Sequence, residues 1–175
     1  FDLPEDAALL GEVLPRILVL PGSKDPVVRR AALKILANAF EALGGPHDAA
    51  ALRAARPLRA DADNETRYYA AGLLFDEAAR TPAPKRETLV VDFLPLSRDA
   101  YSPVRSSLAE LLEETAGGLS AEGGARAVEA LLRLASDSDG DVRASAVHAL
   151  LALRGNIPPD LRAPVERILT KYRAK

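Results

Sequence analysis

Asp137-Ser138-Asp139-Gly140-Asp141-Val142-Arg143 opens an apolar run rich in Ala and Leu, and a matching opening ends at Arg105, 38 residues earlier, and at Arg67, 38 before that. Arginine stands at 29, 67, 105 and 143, preceded by Val28, Thr66, Val104 and Val142. Six residues before the last three arginines comes an aspartate: Asp61, Asp99 and Asp137. The first copy has Ser23 there, with Asp25 nearby. No insertion disturbs the step. Self-similarity at a fixed period of about 20–50 residues marks a chain that stacks one supersecondary unit, since a single unit cannot bury its own apolar face.

Each unit reads as two helices. Helix A of the first unit is predicted over about 4–20, with Leu10, Leu14, Ile17 and Leu18 on one face at the 3.6 period and Pro4 in the first turn, where its missing N–H costs nothing. Pro21-Gly22-Ser23 breaks the chain. Helix B is predicted over about 26–43, with Val28, Ala32, Ile35, Leu36, Ala39 and Phe40 inward, and Gly44-Gly45-Pro46 ends it. Stepping by 38 reproduces the plan. The ends of helices A read Leu18-x-Leu20, Arg56-x-Leu58, Leu94-x-Leu96 and Leu132-x-Leu134. The centres of helices B read Leu36, Leu74, Leu112 and Leu150, with Ala32, Ala70, Leu108 and Ala146 four residues earlier. The repeats therefore span about 4–45, 46–83, 84–121 and 122–159, and 160–175 is left as a terminal cap. The cap offers Val165, Ile168 and Leu169 inward and Arg162, Glu166, Arg167, Lys171 and Arg173 outward, as the last layer of a stack requires. The expected fold is an all-α, right-handed solenoid of nine helices forming one domain across 1–175. Leu89-Val90-Val91, the sole strand-like run, lies inside a helical pattern.

Composition agrees and narrows the function. Hydrophobic residues make up 48% of the 175, enough for a continuous core, whereas aromatics make up 5%. A net charge of -2 argues against a polyanion-binding surface, which is usually strongly basic. The exception is local: from residue 160 on, five bases stand against two acids. The absence of cysteine removes disulfides, thiolate metal sites and cysteine nucleophiles, and is compatible with a cytoplasmic setting. No stretch of about 18 apolar residues is present. The chain starts at Phe1, not Met, which leaves room for upstream residues of a longer parent. Arg- and Ala-rich, Lys-poor usage points to a GC-rich, bacterial genome.

The Asp–x5–Arg spacing, the Val-Arg-x-x-Ala start of helix B and the two-helix unit of about forty residues resemble HEAT repeats over essentially the whole chain. The resemblance implies helices A on the convex side, helices B on the concave side, and a ladder in which Asp61, Asp99 and Asp137 pair with Arg29, Arg67, Arg105 and Arg143. Ser23 and Thr66 depart from the family pattern, and so do Pro57 and Pro95, placed in the last turn of their A helices. The resemblance also implies a function class: a protein-interaction scaffold on the concave face. Its alternatives are a nucleic-acid-binding or DNA glycosylase-like protein and a bilin lyase-like subunit. Glu110, Glu113 and Glu114 on a B helix, and the lack of Trp, oppose the nucleic-acid alternative.

No catalytic or cofactor constellation emerges. Asp137-Ser138-Asp139-Gly140-Asp141 resembles the start of a calcium loop, but Val142 and His148 fall where glycine and a bidentate glutamate are needed. Gly117-Gly118 through Gly123-Gly124 lacks the Gly-Lys-Ser/Thr of a phosphate loop and follows a helix. His47 and His148, assigned to an inter-repeat turn and a mid-helix position, have no second ligand at metal spacing. Ser106, Ser107 and Ser145 have no histidine base near them in the repeat map. The four arginines could form a phosphate-binding comb, but the aspartates in phase with them favour a structural ladder. The expectation is no enzymatic activity, no cofactor and no metal, with a protein or peptide partner.

The working face is sought on one row of the B helices. Stepping by 38 from Lys34 gives Gly72, Glu110 and His148. On the second B helix Tyr68, Gly72 and Phe75 are spaced i, i+4, i+7 and share a face. Glycine inside a helix costs about 1 kcal/mol against alanine. Two reasons would account for Gly72: close helix packing, or a shallow pocket floored by Gly72, walled by Tyr68 and Phe75 and flanked by Lys34 and Glu110.

Overall fold

The computed structural model describes residues 12–43 and 46–173. Every regular element among them is helical, and the strand-like Leu89-Val90-Val91 lies within a helix. α1 covers 12–17, α2 Pro26–Leu43, α3 Pro46–Ala55, α4 Asn64–Arg80, α5 Ala83–Phe93, α6 Ser102–Thr115, α7 Ala121–Leu134, α8 Gly140–Ala152 and α9 Arg162–Arg173. Odd-numbered helices are the A helices and even-numbered ones the B helices, with α9 as the cap. Pro4 and Leu10, like Gly44 and Gly45, fall outside the described residues. His47 lies in the first turn of α3 and not in a connection.

The chain divides into two compact units, Phe1–Glu77 and Ala78–Lys175, with the division inside α4. In the first unit α2 packs against α3. Ala32, Leu33, Leu36, Ala51, Ala70 and Leu74 are essentially sealed from water. In the second unit α6 packs on α8, α7 lies against both, and α9 covers α7 and α8. Leu108, Leu112, Leu131, Leu150 and Val165 have no exposed surface there. Inside both units the 38-residue phase is the phase of the core: Leu36, Leu74, Leu112 and Leu150, and the residues four before them, are all at most 1% exposed. A buried leucine of this kind is worth about 1.5–3 kcal/mol in transfer free energy.

Several positions depart from the periodic expectation. Ile35 is 45% exposed, because it lies about 100° around the helix from Leu36 and beyond the edge of the apolar stripe. Leu20 is 39% exposed, because α1 ends at 17 and Leu20 begins a 3-10 turn, Leu20–Gly22, that leaves the helix axis. Pro57 and Pro95 are not in the last turns of α3 and α5. Those helices stop at Ala55 and Phe93, and the prolines enter the 3-10 segments Arg56–Ala60 and Leu94–Arg98. The same phase holds Arg133 in the fourth repeat, and α7 runs on to Leu134. Proline lacks the N–H that would continue the helix, which fits the early ends of α3 and α5; α1 also stops early, at 17, with Val19 at this phase. In the cap, α9 begins at Arg162 after the 3-10 turn Pro159–Leu161. Val165 and Leu169 are buried and Ile168 only partly so, while Arg167 and Lys171 are exposed. The side chain of Arg173 lies outside the described residues.

Candidate interaction surfaces

The A–B turns are built from arginine and aspartate. Arg29 donates through Nη1 to the carbonyls of Ser23 and Lys24 at 2.9 and 3.0 Å, and through Nη2 to Asp61 Oδ1 of the next repeat at 2.7 Å. Arg105 donates to the Asp99 carbonyl at 2.7 Å and grips Asp137 with Nε and Nη2, both at 2.8 Å. Arg67 donates to the carbonyls of Asp61 and Ala62 and to Asn64 Oδ1. Arg143 donates to the carbonyls of Asp137 and Ser138, both at 2.8 Å. The six-residue spacing therefore serves a backbone contact. Each arginine closes its own turn onto the carbonyl of the residue six before it, and in the Arg29 and Arg105 rungs the carboxylate it meets belongs to the residue 32 further on.

Each of these aspartates also folds its own turn. Asp61, Asp99 and Asp137 accept from the N–H two residues on, at 2.9, 2.8 and 2.9 Å, and Ser23 Oγ does the same for Asp25 at 3.2 Å. Serine can replace aspartate in this side-chain turn, so the first repeat keeps its geometry without the carboxylate. The two rungs are not equal. Arg105–Asp137 is a two-point grip, whereas Arg29 Nε is buried without a partner. The Arg105 guanidinium, helped by the Asp139 N–H, holds the Asp137 carboxyl below the usual range against its own burial. Burial opposes ionisation of Asp61, and the Arg29 and Asp63 hydrogen bonds outweigh it, leaving that carboxyl low as well.

A second 38-residue row went unread in the sequence. Asp25, Asp63 and Asp139 cap the B helices. Asp25 Oδ1 accepts from Val27 N–H at 2.8 Å, Asp63 Oδ2 from Thr66 N–H and Thr66 Oγ1, both at 2.8 Å, and Asp139 Oδ1 from Asp141 N–H at 2.9 Å. The signal was available as aspartate two residues after the turn position, four before the arginine. Tyr101 interrupts the row, and α6 starts without a side-chain cap. Thr66 is also explained: it is fully buried where its counterparts are valine, and its hydroxyl is satisfied by the cap aspartate.

The B-helix row divides between the two units. In the first, Lys34 is exposed, Tyr68 and Gly72 are half-buried, and a Cβ on Gly72 would meet nothing within 4 Å. Close packing therefore does not account for the glycine. Phe75 is 6% exposed and belongs to the core, not to a pocket wall, because an i+7 step also brings it over the apolar stripe of α4. Tyr68 stands edge-on to Tyr69 with ring centres 5.3 Å apart. In the second unit Glu110, Glu114 and His148 are exposed, and Glu113 Oε2 lies 2.8 Å from His148 Nδ1. The hydroxyls of Ser106 and Ser145 hydrogen-bond to each other at 2.9 Å across α6 and α8. Among the described residues no three His, Cys, Asp or Glu side chains gather as metal ligands, and no helix is long and apolar enough to cross a membrane.

No protein-family model matches the chain. No curated protein matches it either. Solved structures do. A designed armadillo repeat protein in complex with the peptide (KR)4 is similar with a TM-score of 0.64 at 18% identity, over 94% of this chain and 73% of that one. An engineered protein gives a TM-score of 0.60 at 22% identity, over 89% and 67%. The complex of CpcE and CpcF of phycocyanin lyase from Nostoc sp. gives 0.55 at 22%, over 94% and 91%. The chain has an all-α helical-repeat solenoid fold. At these identities the likeness speaks for the fold alone.

Proposed function

We propose that this helical-repeat chain is HEAT-like and acts as a non-catalytic scaffold, taking a protein or peptide segment on the faces of its B helices. One observation carries the reading. The buried phase of Leu36, Leu74, Leu112 and Leu150 keeps one side chain, whereas the open phase two residues before it holds Lys34, Gly72, Glu110 and His148. Packing explains the constancy inside. It asks nothing of the open phase, where side chains are free to fit a partner, and repeat stacks offer extended faces of this kind. Within the second unit Glu110, Glu113 and Glu114 share one side of α6, which favours a segment bearing Lys or Arg.

The test is site-specific photocrosslinking. A crosslinker placed at Glu110 or His148 should capture the partner, and one at the exposed Glu122 on α7 should not. Gly72→Leu, whose Cβ would meet nothing within 4 Å, should fold normally and weaken binding. Capture confined to position 122, with full binding by Gly72→Leu, would remove the B-helix faces from the function.

A further inference from the structure

The second unit carries another surface, on its A helices. Leu94 and Pro95 of the 3-10 segment after α5, with Ala130 of α7, floor a groove of about 260 Å3, and Arg98, Arg126 and Arg133 stand around it. All three arginines are exposed. Arg133 Nη1 donates to Ser97 Oγ at 2.9 Å, and Ser97 is 4% exposed, so this guanidinium is held at the rim. Among the described residues, Arg98 and Arg126 make no ion pair. The one acid of the lining, Glu129, makes none either, which leaves the groove two charges positive in a chain of net charge -2.

The repeat shows that folding does not call for this charge. The phase of Arg98 holds Gly22, Ala60 and Ser136, that of Arg126 holds Glu12, Ala50, Thr88 and Pro164, and that of Arg133 holds Val19, Pro57, Pro95 and, in the cap, Lys171. A solenoid tolerates small, apolar or proline residues at each of these positions, and arginine converges on one groove. We infer that the α5–α7 groove is a docking site for an acidic peptide segment of a partner protein, one that seats an apolar side chain between flanking carboxylates. The apolar floor takes the side chain. The arginines match the carboxylates by charge, and a guanidinium can bind a carboxylate at two points. A nucleic acid fits less well, since it carries no free aliphatic side chain beside its phosphates to fill the floor, and the chain as a whole repels polyanions.

The site is separate from the B-helix faces, so either reading can fail alone. The probe is a fluorescein-labelled decapeptide of Asp and Glu with one central leucine, followed by fluorescence anisotropy on the intact chain. Saturable binding is expected, weakened at least tenfold in Arg98→Glu/Arg126→Glu. Neither side chain makes an ion pair or hydrogen bond among the described residues, so that variant should melt like the parent. A probe with alanine in place of leucine should bind several-fold more weakly. Amide shifts on titration should centre on Leu94 and Ala130. The proposal is overturned if the charge-reversed variant binds as well as the parent, or if inorganic phosphate displaces the probe and the leucine makes no difference. It is equally overturned if a single-stranded oligonucleotide binds the groove more tightly than the peptide.

Discussion

Arg105 shows how one side chain can act in two places. Its Nη1 closes the backbone of its own turn while Nε and Nη2 hold Asp137 of the next repeat. Lysine cannot reproduce a planar fork. Arg105→Lys is therefore expected to lower stability by about 1–3 kcal/mol, between the values for exposed and fully buried ion pairs. Arg29→Lys should lower it less, because that rung has a single contact and a buried Nε already without a partner. Urea denaturation of both variants checks the order. Gly123 is a different case. A Cβ there would lie 2.8 Å from Glu87 Oε1, and Glu87 holds Ser120 through both the backbone N–H and the hydroxyl. Gly123→Ala should thus raise the melting temperature more in a Glu87→Ala background than in the parent. An equal effect in both would show that the carboxylate does not require the glycine. Sequence periodicity located Arg105 and Asp137, because both recur. It was silent on Glu87 and Gly123, because a contact made once in the chain leaves no period.

Among the elements, the B helices were the more legible. α2 runs over Pro26–Leu43, the span its proline and glycine signals predict. The A helices were less so. The ends of α3 and α5 fall just before Pro57 and Pro95, and an apolar periodicity that runs through a proline does not show that the helix stops before it. Two of the caps lie in stretches that resemble ligand loops. Asp139, which looks like a calcium ligand, accepts the N–H groups at the start of α8 instead. Ser120 does the same for α7, accepting from Gly123 N–H at 3.1 Å, so Ser120→Ala should cost about 1–2 kcal/mol by thermal melting. α9 has a further duty. It covers α7 and α8 with Val165 and Leu169, and removal of residues 162–175 should lower the melting temperature and raise binding of a hydrophobic dye. A truncated chain that melts with the parent and binds no dye would show that α9 is not a cap.

For the molecule as a whole, the turns tie stability to pH. The carboxyls of Asp61, Asp63, Asp137 and Asp139 all sit below their ordinary range. A carboxyl depressed in the folded state adds stability that is fully present above its unfolded pKa of about 3.9 and is lost as pH falls through the folded value. The melting temperature should be flat between about pH 7 and 5 and fall below about 4, with a shallower fall in Asp137→Asn. A melting temperature unchanged at pH 2.5 would exclude this account. The arginine clamp also decides where the chain can grow. It spans six residues in every turn, from Ser23 to Arg29 and from Asp137 to Arg143, and an added residue there would pull the guanidinium off its carbonyl and its helix off its cap. The B-to-A connections carry arginine clamps of their own, Arg86 on the Thr81 and Ala79 carbonyls and Arg162 on the Ile157 carbonyl. Gly155, exposed and with nothing within 4 Å of an added Cβ, lies just before the Ile157–Arg162 clamp. New segments, whether acquired by descent or spliced in as an affinity tag, should be accepted beside Gly155 and rejected beside Ser138. Length is thus fixed wherever an arginine grips the backbone, and Gly155, outside both kinds of clamp, marks a point where the chain can grow.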